Sequence, residues 1–223
     1  MKIELKSIDK AYQKRTVIKN FNLTVQDGQF IAIVGPSGSG KSTLLNILGL
    51  FESPDNGVYL INGQPAPKIN SAASNKFIRQ NINYLFQNFA LIEDMSVYKN
   101  LEMALKYVPG TKNQKRKQIQ EALEKVNMNK REDDLVATLS GGEQQRISVA
   151  RAILKPGDLI LADEPTASLD EMNRDIVFNL LTSLNQHGKT IIVVTHDQSI
   201  AEKIPTIIKI GSKSTGTDEP KIE

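Results

Sequence analysis

Residues 35–42 read Gly35-Pro36-Ser37-Gly38-Ser39-Gly40-Lys41-Ser42, and this octet decides the fold. It fits the phosphate-loop pattern Gly-x-x-x-x-Gly-Lys-Ser/Thr. An apolar run, Phe30–Val34, precedes it and a helix-forming stretch, Thr43–Leu50, follows. That strand–loop–helix setting is what separates a phosphate cradle from a chance match. Gly35, Gly38 and Gly40 let the chain turn tightly and bring backbone N–H groups close to phosphate oxygens. The helix that follows presents unpaired N–H groups and the positive end of its dipole to the same anion. Lys41 is expected to reach the β- and γ-phosphates, and the Ser42 hydroxyl to ligate the accompanying magnesium. An ordinary Gly/Ser-rich turn is the competing reading, and the flanks weigh against it. The expected ligand of Gly35 to Thr43 is a nucleoside triphosphate with Mg2+.

A phosphate loop needs an acid on the magnesium side. The run Leu159-Ile160-Leu161-Ala162-Asp163-Glu164 supplies one at the end of an apolar strand. Asp163 is placed to hold magnesium through water, and Glu164 to orient and polarise the attacking water. A carboxylate pair that merely caps the next helix is the plainer alternative.

Strand-like and helix-like segments alternate around these motifs, which predicts an α/β fold with a mostly parallel sheet. Ile3–Ile8 alternates as a half-buried strand, Val17–Val25 continues in that style, and Gly57–Ile61 with the Asn62-Gly63 turn suggests a short antiparallel piece. Together they predict an N-terminal antiparallel β subdomain. From about Gln87 to Ala152 the pattern turns helical: Val97, Leu101, Ala104 and Leu105 recur at helical spacing, as do Ile119, Leu123 and Val126. Pro109-Gly110 separates the two helices. Lys112, Lys115, Arg116 and Lys117 form a basic cluster, read as a solvated helix face in preference to a lipid contact. Leu159–Ala162, Thr190–Thr195 and Thr206–Ile210 read as buried strands, and Met172–Asn185 as a helix. The expected division is a nucleotide core over 1–86 and 153–211, a helical subdomain over 87–152, and a mobile polar tail from Ser212.

Composition narrows the class. The chain has 223 residues, a formal net charge of +3 and no cysteine. Disulfides and thiolate metal sites are excluded, and the mild charge does not call for nucleic acid, which is not an expected partner. No apolar run approaches the roughly 18 residues that span a bilayer. Met1–Lys10 alternates like a strand and lacks the pattern of a signal peptide. The expected location is cytoplasmic.

Leu139-Ser140-Gly141-Gly142-Glu143-Gln144-Gln145-Arg146 adds a second feature. Ser-Gly-Gly opens a long helical run, Glu143–Leu154, and so builds another anion site from backbone N–H groups and a hydroxyl. One triphosphate cannot easily use two such helix ends of one chain, but a neighbouring protomer's γ-phosphate can meet the second. With these residues in place, the chain resembles the ATP-binding subunit of an ABC transporter over nearly all of residues 1–210.

That resemblance implies an ATPase that dimerises head to tail around two ATP-Mg2+ and drives a membrane permease on a separate chain, itself staying peripheral on the inner face of the membrane. It implies that Tyr12, in Lys10-Ala11-Tyr12, stacks on adenine. Gln87, in Tyr84-Leu85-Phe86-Gln87, is similar to the glutamine that touches magnesium and moves with the permease. Ser140, Gly141 and Gly142 resemble the signature that completes the partner's site. Asp170, in Ser168-Leu169-Asp170, resembles the loop that crosses the dimer interface, and His196 the switch histidine that contacts the γ-phosphate. The permease is expected over the Gln87–Lys106 region. His187, in Gln186-His187-Gly188, reads as a solvated helix end with no role. Phe86-Gln87-Asn88-Phe89-Ala90-Leu91 is similar to the pattern of macrolide-efflux, lipoprotein-release and antimicrobial-peptide exporters, although Asp170-Glu171-Met172-Asn173 lacks their usual Thr-Gly and Ile210-Gly211-Ser212 their Asp-Gly. A bacteriocin or other antimicrobial-peptide exporter is the finest expectation. The alternative is a non-transport ABC ATPase of translation or DNA maintenance. Against it stand the single cassette and the absence of long heptads between phosphate loop and signature.

Overall fold

In the computed structural model, which describes residues 1–13 and 15–211, strand β1 (Ile3–Tyr12) pairs antiparallel with β2 (Arg15–Val25). The tail expected to be mobile, from Ser212, lies outside the described residues. Ile3, Leu5 and Ile8 point into the core, so the alternation slips once: Ser7 takes a φ of 50° and the pairing shifts register between Leu5 and Ile8. An extra residue of this kind keeps Ile8 on the inner face, which strict alternation would deny it.

Strand β3 (Phe30–Val34) enters the phosphate loop, and helix α1 (Lys41–Leu48) leaves it directly on the lysine, two residues before the stretch Thr43–Leu50 read from the sequence. Strands β4 (Asn56–Ile61) and β5 (Gln64–Pro65) complete an antiparallel sheet of order β2-β1-β4-β5. Asn62 and Gly63 both take positive φ, as a two-residue hairpin turn requires. Helix α2 (Ala72–Asn81) and strand β6 (Ile82–Leu85) form where the sequence reading assigns no element. Only Ser74 of α2 is fully buried, and Phe77 and Ile78 pack partly buried against the core, so the apolar pattern is short; the reciprocal Ser71–Ser74 capping box marks its start.

Three helices make the subdomain expected over 87–152: α3 (Val97–Ala104), α4 (Lys112–Lys125) and α5 (Gly141–Leu154), capped by Ser96, Thr111 and Ser140. The basic cluster is largely taken up within this subdomain. Lys115 donates to the Leu105 carbonyl (2.7 Å), Arg116 lies over the Tyr98 ring, and Lys117 faces Glu121 at 3.9 Å.

The chain then alternates through β7 (Leu159–Asp163), α6 (Glu171–Gln186), β8 (Thr190–Thr195), α7 (Gln198–Ala201) and β9 (Thr206–Lys209). These strands join β3 and β6 in a parallel sheet of order β6-β7-β8-β3-β9. Successive residues of a strand face opposite sides, and the sheet separates two cores accordingly. Ile31, Ile33, Leu159, Leu161, Ile192 and Val194 pack toward α1 and the antiparallel sheet. Phe30, Ala32, Ile160, Ala162, Ile191 and Val193 pack toward the helical subdomain and α6. The fold is α/β with the three parts the sequence predicts. No helix among the described residues is long and apolar enough to cross a membrane.

Candidate active site

The parallel order brings the carboxyl ends of three strands together: Val34 pairs with Thr195, and Asp163 with Val194. Sites of open α/β sheets form at such ends. The phosphate loop sits there, with Gly38 at φ 74° and Gly40 at φ 94°, conformations that side-chain-bearing residues rarely adopt. Gly35 has a second constraint, since a Cβ on it would lie 2.3 Å from the Ile210 carbonyl oxygen. The loop is therefore seated on the chain leaving β9. The Lys41 ammonium curls under it, donating to the Gly35 and Pro36 carbonyls at 2.8 and 3.0 Å.

Ser42 Oγ donates to Asp163 Oδ1 at 3.1 Å across 121 residues of sequence. Burial raises the Asp163 carboxyl above its ordinary value and the Glu164 charge adds to this, while the Ser42 hydrogen bond and the Lys41 charge oppose it. A carboxylate desolvated in this way gains from a cation beside it. Hydroxyl and carboxylate oxygens are the hard ligands magnesium takes. Among the described residues no three of His, Cys, Asp and Glu converge on one point. Such a pair, supplemented by phosphate oxygens, fits magnesium better than a dedicated protein cage would.

Glu164 follows β7 at a φ of 46°, in the left-handed region. This turn swings its carboxylate onto the end of β8. Oε1 accepts from the His196 backbone N–H (3.1 Å) and contacts His196 Nδ1 (2.7 Å), and Oε2 accepts from Thr195 Oγ1 (3.1 Å). An ionised carboxylate only accepts, so a hydrogen bond here requires the His196 tautomer with its proton on Nδ1. The Glu164 side chain is only 11% exposed, against 66% for His196. The Asp197 N–H donates to Thr195 Oγ1 at 3.0 Å, and the Asp197 carboxylate caps α7, accepting from the Ser199 N–H at 2.9 Å and pairing with Arg174 at 3.2 Å.

Lys41, Ser42, Glu164 and His196 line one cleft of about 980 Å³, together with Tyr12, Ser37, Gly38, Gly40, Thr43 and Gln87. Tyr12 is 45% exposed, and its hydroxyl donates to Glu52 Oε2 at 2.6 Å, which holds the ring while leaving a face open. Ser140, Gly141 and Gly142 are absent from this lining and lie on another face. There Ser140 caps α5 through a reciprocal pair with Glu143 (Ser140 N–H to Oε2, 2.8 Å). Asp170 caps α6 and accepts from Asn173 Nδ2 at 2.7 Å. Asn173 in turn accepts from Arg146 at 2.6 Å and presses on Gly142, where a Cβ would lie 2.4 Å from its Cγ. Gly142 and Asp170 are thus linked through Asn173. The sequence reading passed over Thr195 and Asn173, whose neighbours are set by the fold alone. His187 Nδ1 lies 2.6 Å from the Ser183 carbonyl at the end of α6, as an element-terminal residue should.

Arg151 is another residue without a sequence signal. From the last turn of α5 it donates to the carbonyls of Phe89 (2.8 Å) and Ala90, which follow Gln87 and take φ values of 62° and 48°. Burial lowers its affinity for a proton. Replacing it by methionine keeps the aliphatic bulk but strands two carbonyls, so Arg151→Met should lose about 2 kcal/mol of stability. Urea unfolding measures this, and an unchanged midpoint would show that the two bonds add nothing.

A second, smaller groove of about 270 Å³ lies between the core and the helical subdomain, lined by Phe51, Tyr84, Phe86, Met103 and others. It is more apolar than the cleft, and Tyr84 and Phe86, which lead into Gln87, are part of its wall.

Comparison with known proteins places this geometry. The family profile of ABC transporters matches residues 18–167. A macrolide export ATP-binding/permease protein MacB 2 of Yersinia pestis bv. Antiqua is 40% identical over 205 residues, 92% of this chain and 30% of that protein. The Escherichia coli MacB is 40% identical over 212 residues, 93% of this chain and 33% of that protein. The chain therefore spans about a third of the length of the curated relatives it matches. Among solved structures, the dimeric post-hydrolysis state of the ATP-binding cassette MJ0796, bound to ADP and Pi, superposes with a TM-score of 0.85 at 35% identity, covering 93% of this chain and 94% of that one. CbiO1 from Clostridium perfringens, part of the ABC transporter complex cbiONQ, gives 0.83 at 25% identity, covering 93% and 84%.

Proposed function

The chain belongs to the ABC transporter family as one of its ATPase cassettes, and from that premise we propose that it powers an exporter by closing as a head-to-tail dimer on two ATP molecules. The observation that carries this is the convergence of Lys41, Ser42, Gln87, Glu164 and His196 on a single cleft. In this reading Lys41 and the loop N–H groups of Gly35 to Thr43 hold the phosphates, and Tyr12 stacks on adenine. Ser42, Asp163 and Gln87 hold Mg2+. When bound, magnesium would neutralise phosphate charge. Glu164 takes the proton of the attacking water. His196 and Thr195 fix the carboxylate that does so, and His196 itself lines the cleft.

Ser140, Gly141, Gly142 and Asp170 are assigned to the partner's site, which suits their position away from this chain's own cleft. Two copies then complete two sites. The apolar groove beside Phe86 and Met103 lies in the region expected to receive the permease, and a motion there reaches Gln87 through the turn that Arg151 holds. The relatives are named for macrolide export. A macrolide-like compound, an antimicrobial peptide or a lipoprotein is the cargo class proposed for this chain.

Lys41→Ala tests the reading. It deletes a cation in direct contact with phosphate, and titration with a fluorescent ATP analogue should show binding weakened more than about tenfold. Unchanged affinity together with unchanged hydrolysis would overturn the phosphate-loop assignment.

A further inference from the structure

We infer that Arg15 is a second cation for the triphosphate, reaching the phosphates from the hairpin that carries Tyr12. The inference rests on the nucleotide reading of the cleft. Tyr12 closes β1, Arg15 opens β2, and the two are direct partners in the antiparallel ladder. The ladder shifts register between Lys10 and Ala11, with Val17 as the extra residue of β2, so alternation does not set which way these side chains face. Their contacts with the phosphate loop do. Val17 Cγ1 lies 2.8 Å from where a Cβ on Gly40 would stand, and Arg15 Nη2 lies 3.3 Å from where one on Gly38 would stand. Contacts on two loop glycines seat the strand against the loop and bring the guanidinium over it.

Among the described residues, and apart from Gly38's own chain neighbours, the Arg15 nitrogen is the one atom within 4 Å of that Cβ position, and both residues line the 980 Å³ cleft. The acids of the same region are engaged elsewhere. Asp9 pairs with Lys19, and Glu52 and Asp55 pair with Lys10. Glu164, across the cleft, is bonded to His196 and Thr195. Arg15 thus brings a planar fork of N–H donors, matched to phosphate oxygens, to the mouth of a cradle whose floor holds Lys41. A triphosphate entering between them meets the hairpin twice, at Tyr12 through its base and at Arg15 through its phosphates. The shortness of the hairpin is what puts both functions on one ladder rung.

The test is nucleotide affinity, read without turnover. Fluorescent analogues of ATP and ADP, and adenosine as competitor, are titrated with magnesium into wild type, Arg15→Gln, Arg15→Lys and Lys41→Ala. Arg15→Gln should bind both nucleotides about tenfold more weakly, a loss of the size of one charge-assisted hydrogen bond. Its affinity for adenosine should match wild type. Arg15→Lys, which keeps the charge, should recover most of the loss. Because the residue is exposed on a strand end, melting temperatures without nucleotide should agree among the Arg15 variants and wild type. Nucleotide affinity within twofold of wild type for Arg15→Gln, with Lys41→Ala weakened, would overturn the inference and leave the phosphate loop standing. An equal loss for adenosine would overturn it too, as a distortion of the Tyr12 hairpin. If Lys41→Ala also bound like wild type, the phosphate-loop reading would fall first.

Discussion

Glu164→Gln is expected to bind ATP at least as tightly as the wild type while hydrolysing it about a hundredfold or more slowly. The substitution removes the carboxylate assigned to take the water's proton and relieves its repulsion of the γ-phosphate. The local structure predicts that the variant folds. One oxygen of the amide can still accept from the His196 N–H, as Oε1 does now at 3.1 Å. The amide nitrogen can face Thr195 Oγ1, which already accepts from the Asp197 N–H at 3.0 Å and keeps a second lone pair. With ATP bound and hydrolysis stalled, the closed dimer should accumulate. Size-exclusion chromatography with ATP and magnesium should show a dimer that the wild type forms weakly or not at all. Wild-type turnover by this variant would mean that Glu164 is not the base.

Ser140→Arg should abolish hydrolysis as severely, for a different reason, and it separates a composite site from a self-sufficient one. Ser140 is outside the cleft that its own chain lines, so the monomer's nucleotide binding should survive. The bulky cation obstructs the face proposed to meet the opposite protomer's γ-phosphate, so ATP-dependent dimerisation and hydrolysis should both fail. The change also removes an N-cap, since Ser140 Oγ accepts from the Glu143 N–H at 3.3 Å. Losing such a cap costs about 1 kcal/mol. Ser140→Ala carries the same capping loss without the bulk, and so shows how much of the effect is helix stability. Normal hydrolysis by Ser140→Arg would remove the trans role of the signature. Mixing it with Lys41→Ala yields heterodimers with one intact composite site, in which some activity should return.

Much of this was readable along the chain because several of the deciding contacts are local. Phe30–Val34, the octet and the helix after it form one continuous strand–loop–helix, and their conformation follows from glycine's access to positive φ and from an apolar run that must be buried. The Ser-Gly-Gly that opens α5 is followed at once by the helical run from Glu143, and the acid pair Asp163-Glu164 sits at the end of its strand. Elements with a weak local signal were not read. Helix α2 packs only Phe77 and Ile78 of its apolar side chains against the core, too short a pattern for helical spacing to stand out, and strand β6 is only four residues long. Helix α1 begins on Lys41 rather than Thr43 because the loop's own N–H-rich end is its first turn.

The sequence by itself determined that a glycine-rich loop joins an apolar strand to a helix, that an acid pair ends another apolar strand, and that a Ser-Gly-Gly run opens a second helix. Each is a property of consecutive residues and their backbone preferences. Only the tertiary structure decided which of these meet. Ser42 reaches Asp163, and Glu164 reaches His196, because β3 lies beside β8 and β8 beside β7. Arg151 finds the turn after Gln87, and Arg15 finds Gly38, by the same kind of accident of packing. The core strands are all short apolar runs, equally able to pair with one another, so their order carries no local code. It is settled by how two faces of one sheet bury α1 on one side and the helical subdomain on the other, a choice made by the whole core at once.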